Sequence, residues 1–520
     1  MKKKLFLLAI PSLIAALFTS CNDKNSSGSK NTLTEIEIWY SPYTSDVAPL
    51  PDDSPIYKAV ETQLGIKLKT VPLPVKKDEQ NEKIIKAAKA NSLPDFFMTN
   101  RDILVQLVKA NQVARVEKMY NVMPERTAKM YDTAAQNASK FDGLAYGLSQ
   151  SGAIDRNEGI LIRKDWLDNL ALPIPVTTED FFDVMMKFTF NDPDKNGKND
   201  TYGFGAYLEI NNREEGLGTR FAPFFGAFGV AGTFNASKND PGLNIRKPAY
   251  FNALQYIQSI VAAKIIDPNW LGYSKDDFRN AWKEGRFGIM REQNAAYALE
   301  ANYKKFDENF PDGEWILIDP PVGPNAESSV GCYTSSYRTY AVSRRAGELG
   351  KLPAIARLLE WMTTDGYNMV AYGREGVNFL LDAEGNVTTD GLEDPEQAYT
   401  KTAAAPYLQL RNIVFYGGDE ELSARYPSWT TINGRKMSAL TVLREMQKKP
   451  WTQSVGIPSP DAELKKFMRQ GVQDFVTGKR SLTWESWTDW LEEFDRRGGE
   501  EWERQSIEQA MANNQLIDTF

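Results

Sequence analysis

The fold of this chain is predicted by residues 36–98, which read IEIWYSPYTSDVAPLPDDSPIYKAVETQLGIKLKTVPLPVKKDEQNEKIIKAAKANSLPDFFM. Alternating apolar residues predict strands, whereas apolar residues spaced by three and four, with Pro at the start and Gly at the end, predict helices. The elements are strand 36–40, helix 55–64, strand 66–71, helix 80–90 and strand 94–98. This β-α-β-α-β order indicates an α/β fold with a mostly parallel sheet.

The same alternation continues along the rest of the chain. Thr177 precedes a helix with one apolar face, formed by Phe181, Val184, Met185 and Phe188. Ser274 and Asp277 form a capping box for a second helix, which Gly285 ends. A later helical stripe is typical of core packing and contains Trp487, Trp490, Leu491 and Phe494. No low-complexity stretch marks a domain boundary, as expected if two lobes exchange segments.

Residues 1–20 are typical of a bacterial export signal, with a basic start at Lys2–Lys4 and an apolar run from residue 5 to residue 18. The run is too short to be a good spanning helix, which needs about 20 apolar residues. Cys21 closes a small-residue cleavage site and predicts a lipid-modified amino terminus. The alternative is ordinary secretion with Cys21 free or lost. Residues 21–33 are polar and predict a flexible tether.

Composition excludes several classes of function. The chain has 61 basic and 69 acidic residues, and removal of residues 1–20 takes away three lysines, which leaves 58 minus 69, or −11. This acidic balance argues against nucleic acid as a partner. The chain has no histidine, which excludes Ser-His-Asp and Cys-His catalysis and HExxH zinc sites. Carboxylate-pair glycosidase chemistry and calcium sites remain possible classes.

Residues 192–200, DPDKNGKND, place oxygen ligands at the spacing of a calcium loop. The candidate ligands are Asp192, Asp194, Asn196, the carbonyl of Lys198, and Asp200. Position twelve is Gly203 instead of the Glu of a complete EF-hand, and a strand is predicted to follow. We interpret the loop as a structural calcium site. The alternative is an Asp/Asn/Gly turn without metal.

Aromatic residues are abundant, with 12 Trp, 22 Tyr and 26 Phe, and many stand beside Gly or polar residues. Flat rings suit the apolar faces of sugars, whose hydroxyl groups need polar partners, so such mixed pockets fit small-molecule recognition. Taken singly, each ring is more often a packing residue. Examples in predicted loops are Tyr40, Tyr43, Tyr333, Tyr372 and Trp429.

Residues 160–182, ILIRKDWLDNLALPIPVTTEDFF, contain the most specific motif of the chain. Shorter motifs accompany it at Leu93–Phe96, Asp142–Gly147, Ile266–Pro268, Glu284–Met290, Pro320–Pro324 and Tyr372–Gly376. In order and spacing, they resemble family 1 of the extracellular solute-binding proteins of ABC importers, in particular its large LipO-type and alginate-binding lipoprotein branch. The resemblance covers nearly all of the mature chain.

This resemblance implies a type II periplasmic-binding-protein-like fold, in which two α/β lobes, each a mostly parallel sheet flanked by helices, are joined by hinge strands. Lobe one would contain 34–153 plus 331–376, and lobe two 154–330 plus 377–520. The resemblance also implies Ca²⁺ in the loop after the helix that Thr177 caps. This chain departs from the alginate-binding pattern at Thr201, where an acidic ligand is expected.

The implied ligand site is the cleft between the lobes, lined by loops at the carboxyl ends of strands. The expected ligand-binding residues are Tyr40, Tyr43, Asn100, Arg101, Asp155, Arg156, Arg291, Glu292, Tyr333, Tyr372, Arg374, Glu375 and Trp429. Because arginine binds carboxylates bidentately, an excess of arginine favours a uronate or a sulfated sugar.

The resemblance implies a substrate-binding lipoprotein that captures an oligosaccharide and delivers it to a membrane permease. It would be a monomer without enzymatic activity, held by its amino-terminal lipid on the outer face of the cell membrane or in the periplasm. Two alternatives stay open. One is a surface enzyme that degrades glycans, and the other is a binding protein with a sensor or adhesin role.

Overall fold

The computed structural model describes residues 33–43, 48–141, 143–151, 156–208, 216–333, 337–512 and 515–517. The predicted signal peptide, Cys21 and most of the tether lie outside these residues. Within the described part of the chain, no helix combines the length and apolar character needed to cross a membrane.

Over the described residues, nine strands build the two main sheets. They are β1 (Thr34–Tyr40), β2 (Ile66–Pro72), β3 (Phe96–Thr99), β4 (Leu148–Ser151), β5 (Glu158–Arg163), β6 (Tyr202–Phe204), β7 (Phe287–Gln293), β8 (Trp315–Ile318) and β9 (Tyr337–Val342). The predicted strands in residues 36–98 are confirmed within about two residues of their predicted bounds. The strand predicted to follow the calcium loop is short and spans Tyr202–Phe204.

The first sheet has the order β2-β1-β3-β9-β4. Strands β1, β2 and β3 are parallel because helices connect them, as the alternation of residues 36–98 predicts. Strand β9 is antiparallel to both of its neighbours, β3 and β4. Consequently β4 runs in the same direction as β1 and β3.

The second sheet has the order β8-β5-β7-β6, and it is mixed where a mostly parallel sheet was expected. Strands β6 and β7 are parallel, whereas β5 is antiparallel to both β7 and β8. The physical reason is that β5 enters directly from the first sheet. It therefore runs away from the junction of the sheets, while β7 and β8 run toward it.

Helices cover both sheets. Those beside the first sheet include Pro55–Leu64, Lys77–Lys89, Arg101–Lys109, Leu352–Thr363, Tyr367–Tyr372 and Arg411–Val414. Those beside the second include Lys164–Asn169, Thr178–Phe190, Pro248–Ala262, Lys275–Lys283, Glu300–Asn309, Ala439–Lys448, Ala462–Val476, Trp484–Arg496 and Gly499–Ala512. The capping boxes predicted at Thr177 and Ser274 are both formed, with Asp180 and Asp277 as their acidic members.

Each sheet has its own apolar core, which defines two lobes. The first-lobe core contains Ile38 and Tyr340 and extends through Phe379, Tyr399 and Val414. The second-lobe core spans residues from Ile160 to Ala510 and includes the tryptophan stripe of Trp484–Arg496. The expected lobe boundary after residue 376 is therefore corrected. The segment 379–414 packs on the first sheet because its apolar side chains fill the first-lobe core.

The chain crosses between the lobes at one edge of each sheet. Six residues separate the end of β4 from the start of β5, and β8 leads back to β9. Ser151 at the end of β4 pairs with Tyr337 at the start of β9. In the second sheet, Glu158 at the start of β5 pairs with Gln293 at the end of β7. The carboxyl ends of β1, β3 and β7 therefore lie at the two edges that meet at the crossovers.

Candidate functional site

The second lobe presents a buried ion network at the crossover edge. Glu158 accepts from Arg220 Nη2 at 2.7 Å and from Arg291 Nη2 at 3.1 Å. Glu292, at the end of β7, pairs with Arg279 at 3.0 Å and lies 3.6 Å from Arg220. Four of these five side chains are buried, and Arg279 is partly exposed. We call these five residues the ion network.

The ion network holds the carboxylate of Glu158 ionised. Burial opposes the ionisation of Glu158, but the charges of Arg220 and Arg291 outweigh burial and lower the pKa of Glu158 to about 2. The two guanidinium groups also lie over aromatic rings, Arg291 over Trp451 at 5.6 Å and Arg220 over Tyr207 at 5.4 Å. The guanidinium groups on this side are thus held in place by carboxylates and rings.

A segment around Asn412 covers the facing edge of the first sheet. The Asn412 amide donates to the carbonyl of Pro42, in the loop after β1, at 3.0 Å. The Asn412 carbonyl accepts from Gln150 of β4 at 3.1 Å and from Arg338 of β9 at 3.3 Å. One residue therefore joins three strands of the first sheet where they reach the crossovers.

Four arginines surround this segment, and we call them the arginine cluster: Arg126, Arg338, Arg411 and Arg425. Over the described residues, one carboxylate lies within ion-pair distance of the cluster, that of Glu421, at 3.4 Å from Arg425. Burial lowers the pKa of Arg338, and burial together with the charge of Arg411 lowers the pKa of Arg425. The first-lobe edge therefore carries an excess of positive charge.

The structure brings six of the predicted ligand residues to these two edges: Tyr43, Tyr372, Arg156, Tyr333, Arg291 and Glu292. Arg411 lies over the rings of Tyr43 at 5.4 Å and Tyr372 at 5.5 Å. Arg156, on the crossover from β4 to β5, lies over the ring of Tyr333 at 5.1 Å. The φ of Arg156 is 58°, a left-handed conformation that is uncommon for residues other than glycine.

Four other predicted residues use their polar groups inside the lobes: Tyr40, Asn100, Arg101 and Trp429. Tyr40 is buried and donates to the carbonyl of Ala48. Asn100 caps the helix Arg101–Lys109, and Arg101 donates to the carbonyl of Ala138. Their contact with a ligand stays a prediction.

Besides Trp429, the predicted positions not yet placed are Arg374, Glu375 and Asp155. Arg374 lies over the ring of Tyr407 at 3.9 Å, and Glu375 is exposed. Trp429 donates to the carbonyl of Ala298 in the second lobe at 2.9 Å. Asp155 lies outside the described residues.

Sequence reasoning missed Arg411, Arg425, Glu158 and Arg220. Arg411 stands in an apolar run, residues 408–415, which read LQLRNIVF. A charged residue inside such a run was the available signal. It was overlooked because the segment was assigned to the second lobe. Arg220 gave no local signal, since its partners are 62 and 72 residues away along the chain.

The predicted calcium loop brings its carboxylates together. The Asn196 amide donates to Asp194 at 2.8 Å and to Asp200 at 3.2 Å, while the Asn196 backbone N–H donates to Asp192 at 3.0 Å. Burial and the neighbouring Asp192 and Asp200 raise the pKa of Asp194. Asp194 Oδ1 is buried without a hydrogen-bond partner.

The donor set of this loop fits a hard cation only in part. Buried carboxylate oxygens near one another suit Ca²⁺, and the orphaned Oδ1 of Asp194 is such an atom. Within the described ranges, no three Asp, Glu or Cys side chains are grouped as a metal site by themselves. The amide of Asn196 and the carbonyl of Lys198 would have to complete the ligand set.

Three curated proteins are similar in sequence to this chain. The polygalacturonan/rhamnogalacturonan-binding protein YtcQ of Bacillus subtilis is 25% identical over 342 residues, 62% of each chain. Lipoprotein LipO of the same organism is 24% identical over 335 residues, 63% of each chain. The fructooligosaccharide-binding protein FusA of Streptococcus pneumoniae is 36% identical over 137 residues, 26% of this chain and 24% of FusA. The chain thus spans about three fifths of the length of the first two relatives.

No protein-family model matches the chain, but solved structures match its fold. An extracellular solute-binding protein of Bifidobacterium longum subsp. infantis has a TM-score of 0.67 at 15% identity, covering 91% of this chain and 97% of that one. An EF-hand mutant of Streptococcus pneumoniae FusA with fructo-nystose gives 0.60 at 15% identity, with coverages of 93% and 99%.

The alginate-binding protein AlgQ2 without calcium ion also gives a TM-score of 0.60, at 14% identity, covering 92% of this chain and 98% of that one. At such identities these structures bear on the fold alone. Together with the curated relatives, they confirm the resemblance inferred from the motifs. The chain is thus similar in sequence to YtcQ and LipO, and it has the two-lobed fold of the solved solute-binding proteins.

Proposed function

We propose that this chain captures a carbohydrate between its two lobes and delivers it to the permease of an ABC importer. The observation that carries the proposal is the meeting of two strand edges, lined by arginines and aromatic rings, at the crossovers between the lobes. Ligands of α/β sheets bind at the carboxyl ends of strands. YtcQ and FusA, whose names specify carbohydrate ligands, support the choice of ligand class.

Capture depends on an equilibrium between open and closed lobes. A ligand favours closure only by the difference between its contacts in the two states, so it must touch both edges. Arg291 on β7 and Tyr43 after β1 are the groups on opposite lobes that we expect to do so. The crossovers are the segments whose backbone angles would change.

We propose an acidic carbohydrate as the ligand. The ion network and the arginine cluster together contain seven arginines, against the three carboxylates of Glu158, Glu292 and Glu421, although the chain as a whole has a net charge of −8. Guanidinium groups bind carboxylates in a bidentate geometry, which neutral sugars do not use. The excess of arginine at the edges therefore favours a uronate.

We further propose that the loop from Asp192 to Asp200 binds Ca²⁺ as a structural ion. The orphaned Oδ1 of Asp194 supports it, and so do two solved structures of similar fold, an EF-hand mutant of FusA and AlgQ2 without calcium ion. The ion would neutralise three adjacent carboxylates and fix the loop after the helix Thr178–Phe190. A chelator should then lower the melting temperature of the purified protein. An Asp192→Asn/Asp194→Asn variant serves as the control that no longer responds to the chelator.

Lipid attachment at Cys21 on the outer side of the membrane is part of the proposal, supported by the export signal and by the lipoprotein LipO. A tethered receptor keeps its closed complex near the permease. Metabolic labelling with a fatty acid analogue, with Cys21→Ser as control, tests the anchor. A monomer is expected for the released chain.

The proposed function is tested by thermal shift with neutral and acidic oligosaccharides, read together with product analysis. A ligand at a hundredfold excess over its Kd adds about 2.7 kcal/mol of stability. We expect a shift without cleavage. Cleavage of the glycan would establish the enzyme alternative, and the absence of any shift with every glycan would remove the proposal. A strain that lacks the permease but still responds to the sugar would favour a sensor role.

A further inference from the structure

Arg411 is a buried cation whose hydrogen-bonding groups are mostly unused. Its side chain is 2% exposed, and its Nε and Nη2 atoms have no hydrogen-bond partner in the described structure. Nη1 makes one long contact, 3.4 Å to the hydroxyl of Tyr43. Buried charged donors without partners are costly, because water no longer solvates them. A ligand atom that accepts hydrogen bonds from such a group would remove this unfavourable free energy.

The neighbours of Arg411 supply rings instead of counter-charge. The guanidinium lies over Tyr43, Tyr372 and Tyr399 at 5.4, 5.5 and 5.9 Å. Glu421, the nearby carboxylate, lies 3.4 Å from Arg425 and accepts from two backbone N–H groups, and no ion pair joins it to Arg411 in the described structure. Arg411 therefore keeps a positive charge that the described residues leave without an anionic partner.

Arg126 in the same cluster shows what a purely structural arginine looks like here. It is fully buried, and each of its nitrogen atoms donates a hydrogen bond. Its partners are Tyr131, Thr363, Gln150 and the carbonyl of Ile413. The contrast shows that this lobe can satisfy a buried arginine with neutral groups, and it has not done so for Arg411.

Arg411 lies beside the cleft. The next residue, Asn412, is bonded to the carbonyls of Ser41 and Pro42 in the loop after β1. Tyr43, in the same loop, is partly exposed and contacts Arg411. A group that displaces the Tyr43 hydroxyl from the cleft side would therefore reach Nη1 first.

We propose that Arg411 is a specificity-determining residue that binds one carboxylate of the captured sugar acid, with Tyr43 at the entrance and the rings of Tyr372 and Tyr399 as walls. The site takes a planar carboxylate because the guanidinium presents its donors as a planar fork. This inference rests on the proposed function and adds to it the group that separates acidic from neutral ligands.

The test uses the full mature chain, a short oligogalacturonate and its methyl ester as probes, and the variants Arg411→Met and Arg411→Lys. We expect Arg411→Met to weaken binding of the oligogalacturonate by about 30-fold or more, as for loss of a buried charge partner. Arg411→Lys should restore only part of the affinity, because the fork is lost. Binding of the methyl ester should be the same in all variants.

Stability provides a second readout. Since Arg411→Met removes a charge that lacks a partner, the ligand-free variant should melt at or above the temperature of the parent. The matched control is Arg126→Met, which breaks four hydrogen bonds and should lower the melting temperature. If Arg411→Met instead unfolds the chain, the inference is wrong, because the arginine is then structural.

The remaining outcomes separate the inference from the proposed function. Inorganic sulfate or acetate alone that protects wild type as well as the oligogalacturonate would show a general anion site and overturn the assignment to a sugar acid. Equal binding of acid and ester by wild type and Arg411→Met would overturn the subsite but leave carbohydrate capture intact. No binding of any glycan would remove the proposed function itself.

Discussion

The two edges that meet at the crossovers handle buried arginines in opposite ways. In the second lobe, Arg220 and Arg291 share the carboxylate of Glu158, and Arg279 pairs with Glu292. In the first lobe, the described partners of the arginine cluster are neutral groups, rings and one carboxylate, that of Glu421. Paired charges hold a surface in one geometry. Buried guanidinium groups without a counter-charge are stabilised when an anion binds them. We therefore call the ion network of the second lobe the rigid wall and the arginine cluster of the first lobe the binding wall.

The largest expected effect comes from removing the central carboxylate of the rigid wall. Glu158→Ala leaves the guanidiniums of Arg220 and Arg291 buried without a counter-charge, which should lower the free energy of unfolding by about 3–5 kcal/mol. Urea unfolding of the ligand-free protein measures it. Glu35→Ala is the matched control, because Glu35 pairs with Lys67 at an exposed position and its loss should cost far less stability.

The comparison of the two walls fails if these two variants lose equal stability. It also fails if Glu158→Ala abolishes ligand binding while leaving stability unchanged, since Glu158 would then act on the ligand instead of on the wall.

Acid should weaken the rigid wall in a defined pH range. The pKa of Glu158 is about 2 in the folded protein against an ordinary value of 4.5. A lowered carboxyl pKa contributes stability above pH 4.5, and that contribution is lost as the pH falls toward 2. The amount is on the order of 3 kcal/mol. The stability difference between wild type and Glu158→Gln should therefore shrink between pH 5 and pH 2. A difference independent of pH would contradict the assignment.

A smaller effect is expected for the partly paired arginine of the first lobe. Arg425→Met should cost less stability than Glu158→Ala, because it leaves one buried charge, that of Glu421, which keeps hydrogen bonds from the backbone N–H groups of Tyr416 and Gly417. Removal also relieves the repulsion between Arg425 and Arg411 that contributes to the lowered pKa of Arg425. Urea unfolding beside Glu158→Ala measures it. If Arg425→Met lowers the free energy of unfolding as much as Glu158→Ala does, the two walls do not differ in the way proposed.

The local parts of this comparison follow from the sequence, and the long-range parts do not. Local elements depend on neighbours within one turn or one strand, so the sequence pattern predicts them. Examples are the strands of residues 36–98 and the caps at Thr177 and Ser274. Arg291 was selected from its place at a strand end. Its partner Glu158 was missed, because the antiparallel pairing of β5 with β7 joins residues 133 positions apart.

The arginine cluster was missed for a related reason. The chain stays in the first lobe after residue 376. A lobe boundary taken from motifs does not show which core the following apolar residues fill. Whether the guanidinium of Arg411 has a hydrogen-bond partner depends on residues that are distant in the sequence, such as Tyr43 and Tyr372. A local sequence pattern cannot show that such a partner is missing. Burial of a charge in an apolar run indicates importance but leaves its role open.

The smallest expected effect on stability is that of Tyr43→Phe. The hydroxyl makes a long 3.4 Å contact with Arg411 Nη1 and lies on a partly exposed residue, so its removal should change the free energy of unfolding by less than about 0.5 kcal/mol. Because a ligand carboxylate would replace that same contact, the variant should bind an oligogalacturonate at least as tightly as wild type. Tyr43→Ala, which also removes the ring, should bind it more weakly. Isothermal titration of both variants decides whether the ring or the hydroxyl contributes, and weaker binding by Tyr43→Phe would mean that the hydroxyl itself contacts the sugar.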